Sequence, residues 1–447
     1  MTMDVSALLE MGQSLLRKFS SKSMCEAEIF LQAKRIKNLV RSRGRMEESM
    51  TTLISGCALR ILKKEEYTFC YKAGWEGLEK WAELADRNAC RAKGDQWVFP
   101  EGKTEILSKG DFYDKSISTL SEKERVALLE RMEWKAREGY EKIIDIVSSS
   151  YEEEEGVNFI LNTKGIERLW RETRFSLYLE VMSQGKGGPQ SGFDTTEERT
   201  FNALSPEKVG RRAGWHAASL LGKKETVRGR MPLILEPSVG CGFLALIAPG
   251  LCADKVRKGK SVFKRLQGKK VASSDLNLID DGTLIEPGGA PFDGEGTPQV
   301  RTTVIEKGRL KNFLYDTAQA KKGKRESTGN ARRDSFKDIP GIGPSCLFID
   351  NGGIKNGRDI VKEVKKGIYI FETLGLHTVD TVSGDFSIGA AGMIVENGAF
   401  TRPVKGITMA GNLLDFLSSI EMIGNDLEFY GRFGTPTLLV NNTIIGS

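Results

Sequence analysis

Between positions 240 and 254 the chain reads GCGFLALIAPGLCAD, with no charged side chain before Asp254 and a proline at 249. A stretch this apolar has to be covered on every side, which commits the sequence around it to a packed core. The residues that follow, KVRKGKSVFKRLQGKK (255–270), are strongly basic. Taken alone, the two pieces read as a buried helix running into a solvated one. A chain of 447 residues exceeds what one hydrophobic core normally organises, so two or three domains are expected.

Hydrophobic content of 39% and charged content of 28% fit a globular protein. No apolar run approaches the roughly 20 residues needed to span a bilayer. The first residues, MTMDVSALLEMGQSLLRKFSSK, have an amphipathic helical pattern that carries Asp4 and Glu10. They lack the basic leader and unbroken apolar core of a signal peptide, so a cytoplasmic protein is expected. Seven cysteines, at 25, 57, 70, 90, 241, 252 and 346, form no CxxC pair. An odd, scattered set suggests neither a disulfide framework nor a zinc knuckle, and reads as buried thiols in a reducing compartment. The net charge of +6, from 66 basic and 60 acidic residues, is too small an excess to argue for a nucleic-acid face.

Periodicity predicts a helix over 5–18, a strand over 27–41, two short strands over 56–72 around a Lys-Lys-Glu-Glu turn, and a helix over 75–93. The polar segment 94–110 with Pro100 marks a boundary. Ser121 followed by Glu124 is a capping box for a helix expected to reach about Ile144. Strands are expected over 157–163 and 168–182, the second from the alternation of Phe175, Leu177, Leu179 and Val181. The four glutamates at 152–155 read as a charged hairpin tip, and 185–192 (GKGGPQSG) as a loop. Ser205-Pro206 opens a helix to Leu221, ended by Gly222. Beyond Met231 glycine rises and short strands recur between turn signals such as DDGT, EKGR and VENG. The expected fold class is α+β. An N-terminal α/β region comprises an α+β domain (1–105) and a central helix–strand region (106–228), and a larger strand-rich domain (229–447) follows it.

The second half carries a linked series: LIDDGTLIEPGGAPFDGEGTP (278–298), VIEKGRLKNFLYD (304–316), STGNARR (327–333), VDTVSGDFSIGAAGMIVENG (379–398), PVKGITMAGN (403–412) and MIGNDL (422–427). In this order and spacing it resembles the TldD/PmbA family, also called modulators of DNA gyrase, whose second member is also called TldE. The resemblance implies a PmbA/TldD-type C-terminal domain and peptidase action by a TldD–TldE pair. In such a pair an H-E-x-x-x-H helix of the TldD subunit, with a cysteine near its C-terminus, holds zinc. Two histidines can bind the metal, and the glutamate can act as general base on its water.

Here LILEP (233–237) and GKSVF (259–263) fix the register of that helix without a gap. The histidine positions fall on Leu244 and Pro249, and the glutamate position on Ala245. None of the three can bind a metal or move a proton. In GNDLEFYGRFGTPTLLV (424–440) the loop that bears the third ligand is shortened and has no cysteine. The resemblance is therefore to the PmbA/TldE member. It implies no catalytic residue, no metal ligand and no cofactor in this chain, with zinc in a TldD-like catalytic partner and an unfolded peptide as substrate. A homodimer is compatible with the partner's absence, and no membrane or nucleic-acid partner is expected.

Asp293 and Glu295, with Gly294 and Gly296, form the best carboxylate pair; the turn either lines a cleft or caps local amides, and the second reading is favoured. In STGNARR, Thr328, Asn330 and Arg332 either hold a carboxylate such as a peptide C-terminus or pin strands and face a partner. His216 reads as a packed or half-exposed helical residue. His377 reads as a loop residue ahead of the SGDF motif with Ser383, both candidates for a cleft or interface. The basic stretches 255–270 and 320–325 hold a single aromatic, Phe263, and read as solvated surface. Two other functions remain open: a stand-alone peptidase with an altered site, and a non-enzymatic module acting on gyrase, a toxin–antitoxin system or DNA.

Overall fold

The alternating Phe175, Leu177, Leu179 and Val181 do lie on one buried face of a long antiparallel strand. The computed structural model describes residues 5–20, 25–63, 66–87, 98–102, 111–350, 352–353 and 355–446. Its first part runs α1 (Val5–Ser20), β1 (Cys25–Ser42), β2 (Arg45–Lys63), β3 (Glu66–Ala73), α2 (Leu78–Arg87), α3 (Glu122–Arg137), β4 (Ile143–Asn162), β5 (Glu167–Ser183), β6 (Gln190–Glu198) and α4 (Pro206–Ser219). The six strands form one antiparallel sheet in the order β3-β2-β1-β4-β5-β6. The strands on either side of the expected boundary near 105 thus share a sheet. Residues 88–93 of the expected second helix lie outside the described residues, as do 94–97 and 103–110 of the expected boundary segment and 64–65 of the expected turn.

Because side chains alternate across a strand, the sheet has two different faces. Ile29, Leu31, Phe159 and Leu161 pack under α1 and α2, and Leu39, Tyr151, Leu177 and Leu179 under α3 and α4. The opposite face presents Phe30, Ala58 and Ile160 together with polar Glu28, Gln32, Arg60 and Asn158, all buried.

Three expectations are corrected here. The helix opened by the Ser121–Glu124 capping box stops at Arg137, because Gly139 adopts φ +82 and turns the chain into β4. The four glutamates are no hairpin tip: they lie inside β4, on both faces. Arg125 of α3 holds Glu153 at 2.7 Å, and on β1 Lys34 holds Glu154 at 2.8 Å and Arg35 holds Glu155 at 3.2 Å. Fixed counter-charges take the place of water. The glycine-rich loop also ends early, at Pro189, and Gln190 begins β6.

The second part runs β7 (Gly229–Leu235), α5 (Pro237–Ile247), α6 (Ala253–Arg257), β8 (Leu278–Asp281), β9 (Arg301–Glu306), β10 (Arg309–Leu310), α7 (Thr317–Lys322), β11 (Ala331–Arg332), β12 (Gly341–Ile342), β13 (Leu347–Ile349), α8 (Gly357–Glu363), β14 (Lys366–Leu374), β15 (Asp385–Glu396), β16 (Ala399–Asn412), α9 (Leu413–Ser418), β17 (Ile420–Ile423), β18 (Glu428–Tyr430), β19 (Phe433–Thr435) and β20 (Leu438–Gly446). One sheet has the order β10-β9-β8-β13-β19-β18. Another has the order β16-β15-β14-β7-β20-β17, and β16 also pairs with β20, closing five strands into a ring. The fold is α+β with a strand-rich C-terminal domain. α5 touches strands of both sheets, so the apolar segment is the centre of the largest core, with Phe243 stacked on Phe416 at 4.2 Å. Lysines of the basic run that follows are exposed, but Phe263 is fully buried and offers no face for base stacking. Among the described residues no helix is long and apolar enough to cross a membrane.

Candidate functional site

α5 begins with Pro237 at its first turn, where a missing N–H is harmless, and ends at Ile247. Pro249 cannot continue the ladder, and 248–251 tighten into a 3-10 turn. Leu244 is 1% exposed and packs in the core, whereas Ala245 and Pro249 face outward. The three positions therefore do not converge on one point. Among the described residues no group of three or more His, Cys, Asp and Glu side chains is placed to hold a metal. The nearby thiols do not help. Burial pushes Cys241, Cys252 and Cys346 up to about 12 each, so all three stay protonated at neutral pH. This donor set does not fit zinc. His377 is exposed in the 3-10 turn Leu376–Thr378, and Ser383 is exposed and accepts from the Asp385 N–H at 3.2 Å. Both belong to a loop beside α5, where Leu376 approaches Gly242.

Those others do come together, at the junction of the two halves. Asp293 Oδ1 accepts from the Glu295 and Thr297 N–H groups at 2.9 and 3.0 Å, and Oδ2 accepts from the Ala331 N–H at 3.0 Å. The carboxylate knots its own turn and ties it to β11. Burial, with Glu295 beside it, pushes the Asp293 carboxyl up against the pull of these amides. The Gly294 N–H donates to Ala331 O at 2.6 Å. Gly296 sits at φ +84, and a Cβ there would lie 2.6 Å from Ile166 Cγ2 at the start of β5. Gly296→Ala is expected to destabilise by about 1–3 kcal/mol through backbone strain and overpacking, read as a lower urea midpoint.

Glu295 faces the first sheet. Its Oε1 accepts from Arg60 Nη1 at 3.1 Å, and its Oε2 from the Thr317 N–H at 3.3 Å. Arg60 also holds Glu28 through Nε, at 2.9 Å, and through Nη2. Glu28 in turn accepts from Arg333 Nη2 at 2.5 Å. Side chains of all four are at most 4% exposed. Burial opposes ionisation of Glu28, but the two guanidinium groups outweigh it and hold its carboxyl below the usual range. Asn330, fully buried, donates to Asp280 Oδ2 at 2.6 Å and Gly343 O at 3.1 Å, while Thr328 is bonded to both the N–H and the carbonyl of Tyr315. Arg332 donates to Gly288 O at 3.0 Å. Glycine and acid in this motif thus serve a domain junction.

Sequence reasoning missed Glu28, Arg60 and Arg199. Arg199 is 3% exposed and engages every nitrogen: Nη1 with Glu172 and Thr173 O, Nη2 with the carbonyls of Pro287 and Gly289, and Nε with Glu286 O. A signal existed, since Arg60 stands between Leu59 and Ile61 in a strand, and Glu28 between Ala27 and Ile29.

His216 on α4 is buried, and both ring nitrogens face acceptors, Nδ1 the Phe193 carbonyl at 2.9 Å and Nε2 Glu236 Oε2 at 3.0 Å. Facing acceptors on both sides, the protonated ring can donate an N–H to each. Burial opposes that charge, but Glu236 raises the His216 pKa above its ordinary value; Glu236, despite burial, is held below its own. Arg212 joins in, with Glu236 at 3.4 Å and Glu428 at 2.9 Å, so the cluster ties α4 to the strand–helix corner before α5. A raised histidine gives stability that is complete below its unfolded pKa of about 6.5 and fades as pH rises through the folded value. The lowered glutamate gives stability present above about 4.5 and lost as pH falls through its folded value. The stability gap between the native chain and His216→Gln is therefore expected to shrink from pH 6 to pH 9 in urea titrations; a gap that widens contradicts the ion pair.

With this geometry in hand, comparison with known proteins is consistent. Residues 228–447 match the PmbA/TldA metallopeptidase C-terminal domain, and residues 115–221 match the PmbA/TldA metallopeptidase central domain. A metalloprotease TldD homolog of Buchnera aphidicola (subsp. Acyrthosiphon pisum) is 32% identical over 73% of this chain and 71% of its own length. The metalloprotease PmbA of Escherichia coli O157:H7 is 28% identical over 69% of this chain and 66% of its own length. A crystal structure from Thermotoga maritima, of a protein described as a modulator of a DNA gyrase, has a TM-score of 0.90 at 27% identity, covering 98% of this chain and 100% of that one. Relatives named for either member match at similar identity, so identity alone does not separate the two. By its domains, its relatives and its fold, the chain belongs to the PmbA/TldD metallopeptidase family.

Proposed function

We propose that this chain is the non-catalytic, PmbA/TldE-like subunit of a two-chain zinc peptidase. The observation that carries the reading is the helix α5, where Leu244 is buried in the core and Ala245 and Pro249 offer no donor. A TldD-like partner with an intact H-E-x-x-x-H supplies the metal, the base and the cleavage of the peptide bond. This chain completes the chamber and helps to admit flexible peptide in the cytoplasm. Its short outer strands suit an extended peptide, which adds to a sheet edge through main-chain hydrogen bonds.

The test is to purify the chain, measure its zinc by mass spectrometry, and mix it with a TldD-like chain. Little zinc, co-elution with the partner and faster hydrolysis of an unfolded peptide by the mixture are expected. The reading fails if the partner alone cleaves at full rate and never co-elutes, or if this chain alone holds zinc and hydrolyses peptide in a chelator-sensitive way.

A further inference from the structure

Between the polar face of the first sheet and the segments around 287–299 and 331–334 lies a cavity of about 270 Å³. One wall is apolar, made by Phe30, Trp170 and Phe292, with the last two rings edge to face at 4.7 Å. The rest is polar and electropositive: six basic side chains line it against three carboxylates. Five of the six are paired with an acid. Lys34 pairs with Glu154 at 2.8 Å, Arg174 with Glu197 at 3.4 Å, Arg199 with Glu172 at 3.0 Å, Arg333 with Glu28 at 2.5 Å and Arg432 with Asp334 at 3.4 Å.

Arg332 has no carboxylate within ion-pair reach among the described residues. Burial and the neighbouring Arg432 push its guanidinium down to about 10, with Cys346, Asp280 and Glu172 acting in the opposite sense. Arg332 is half-buried, and a cation drawn from water without a counter-ion is costly, a cost an arriving anion removes.

The lining also holds donors with nothing to donate to. Arg332 Nε, Arg333 Nε and Nη1, Gln299 Nε2 and Trp170 Nε1 are buried and unpartnered among the described residues. The Arg333 side chain is 2% exposed and Gln299 is 1% exposed, so these donors are held inside the fold. Buried N–H groups normally have partners. Guanidinium N–H groups beside an apolar wall match an oxyanion that carries an apolar group, because a guanidinium binds a carboxylate through two parallel bonds.

We infer that this cavity binds the free C-terminal carboxylate of a peptide, with Arg332 and Arg333 on its oxygens and the last side chain against Phe30, Trp170 and Phe292. The volume suits one terminal residue, and the lining residue Asp334 is itself exposed, so the rest of the peptide can lie outside the cavity. A free phosphate shares the anion chemistry but has nothing to place on the apolar wall. The inference rests on the reading of this chain as a peptide-handling subunit. It concerns binding to this chain alone, so its failure leaves the zinc and co-elution measurements standing.

The experiment is calorimetry on the full chain with three probes at equal ionic strength: a short peptide ending in leucine with a free carboxylate, the same peptide as its C-terminal amide, and inorganic phosphate. The free acid is expected to bind, and the amide to bind about tenfold or more weaker, in line with the loss of charge-assisted bonds. Arg332→Gln is expected to remove that preference, and Trp170→Phe, which keeps the ring and deletes the N–H, to reduce it. If Arg332→Gln does not fold, the acid-against-amide comparison on the native chain decides. Equal binding of acid and amide, displacement of the peptide by phosphate at similar concentration, or no binding at millimolar peptide overturns the inference.

Discussion

Replacing Arg60 with alanine is expected to lower the stability of the protein by about 3–5 kcal/mol, because it strips the counter-charge from buried carboxylates. Arg60 lies on β2 with its side chain 2% exposed, between Glu28 of β1 and Glu295 of the C-terminal domain. Without it, Glu28 keeps only Arg333, and Glu295 keeps only the Thr317 N–H among the contacts described above. The measurement is the denaturant midpoint of the variant beside the native chain. Two further variants make the result specific. Arg60→Lys can reach one acid but not grip both through a planar fork, so it falls between the two. Arg60→Ala combined with Glu295→Gln removes one stranded charge and is expected to recover part of the loss, a coupling that a merely local packing defect does not produce. A loss under about 1 kcal/mol, the range of an exposed ion pair, contradicts the junction as drawn.

Which parts of this arrangement were legible in the sequence follows from where each residue's partners lie. The alternation of Phe175, Leu177, Leu179 and Val181, the capping box at Ser121 and the start of α4 at Pro206 are local signals, and the elements they announce are present. The four glutamates of β4 misled because a run of like charges reads as solvated unless its counter-charges are seen. Those sit on β1 and α3, well separated in the chain. The end of α3 turned on one glycine at positive φ rather than on any break in the hydrophobic pattern. At the candidate site, the motif around Asp293 and Glu295 stood out in the sequence, yet its use depends on Arg60 and Glu28. Spacing of more than 200 residues hides such a pair, although a charge flanked by apolar strand residues hints that some partner exists. His216, read as packed or half-exposed on its helix, is buried there, and its charge state depends on Glu236 and on the Phe193 carbonyl, both supplied by tertiary structure.

Writing the peptidase motif back into α5, as Leu244→His, Ala245→Glu and Pro249→His together, is expected to give no zinc site. The exposed pair, Ala245→Glu with Pro249→His, should fold nearly as the native chain does, since surface changes usually stay within about 0.5 kcal/mol each. Leu244→His is different. It removes a side chain that is 1% exposed at the centre of the largest core and puts a polar ring there, which is expected to destabilise by about 2–5 kcal/mol. Even where the triple variant folds, its donors do not share a direction, and no thiolate stands ready as a third ligand. Metal analysis after dialysis with excess zinc is expected to match the native chain. One zinc per chain, with chelator-sensitive peptide hydrolysis, is the opposite result. It shows that α5 can rotate its Leu244 position out of the core, and that the distance from a catalytic subunit is three side chains rather than a repacked helix. On the proposed reading, packing separates α5 from a metal-binding helix as much as the residues do. With the Leu244 position in the core and the other two facing outward, the packing around it, Phe243 against Phe416 included, has to be rebuilt before histidines on α5 can meet a metal.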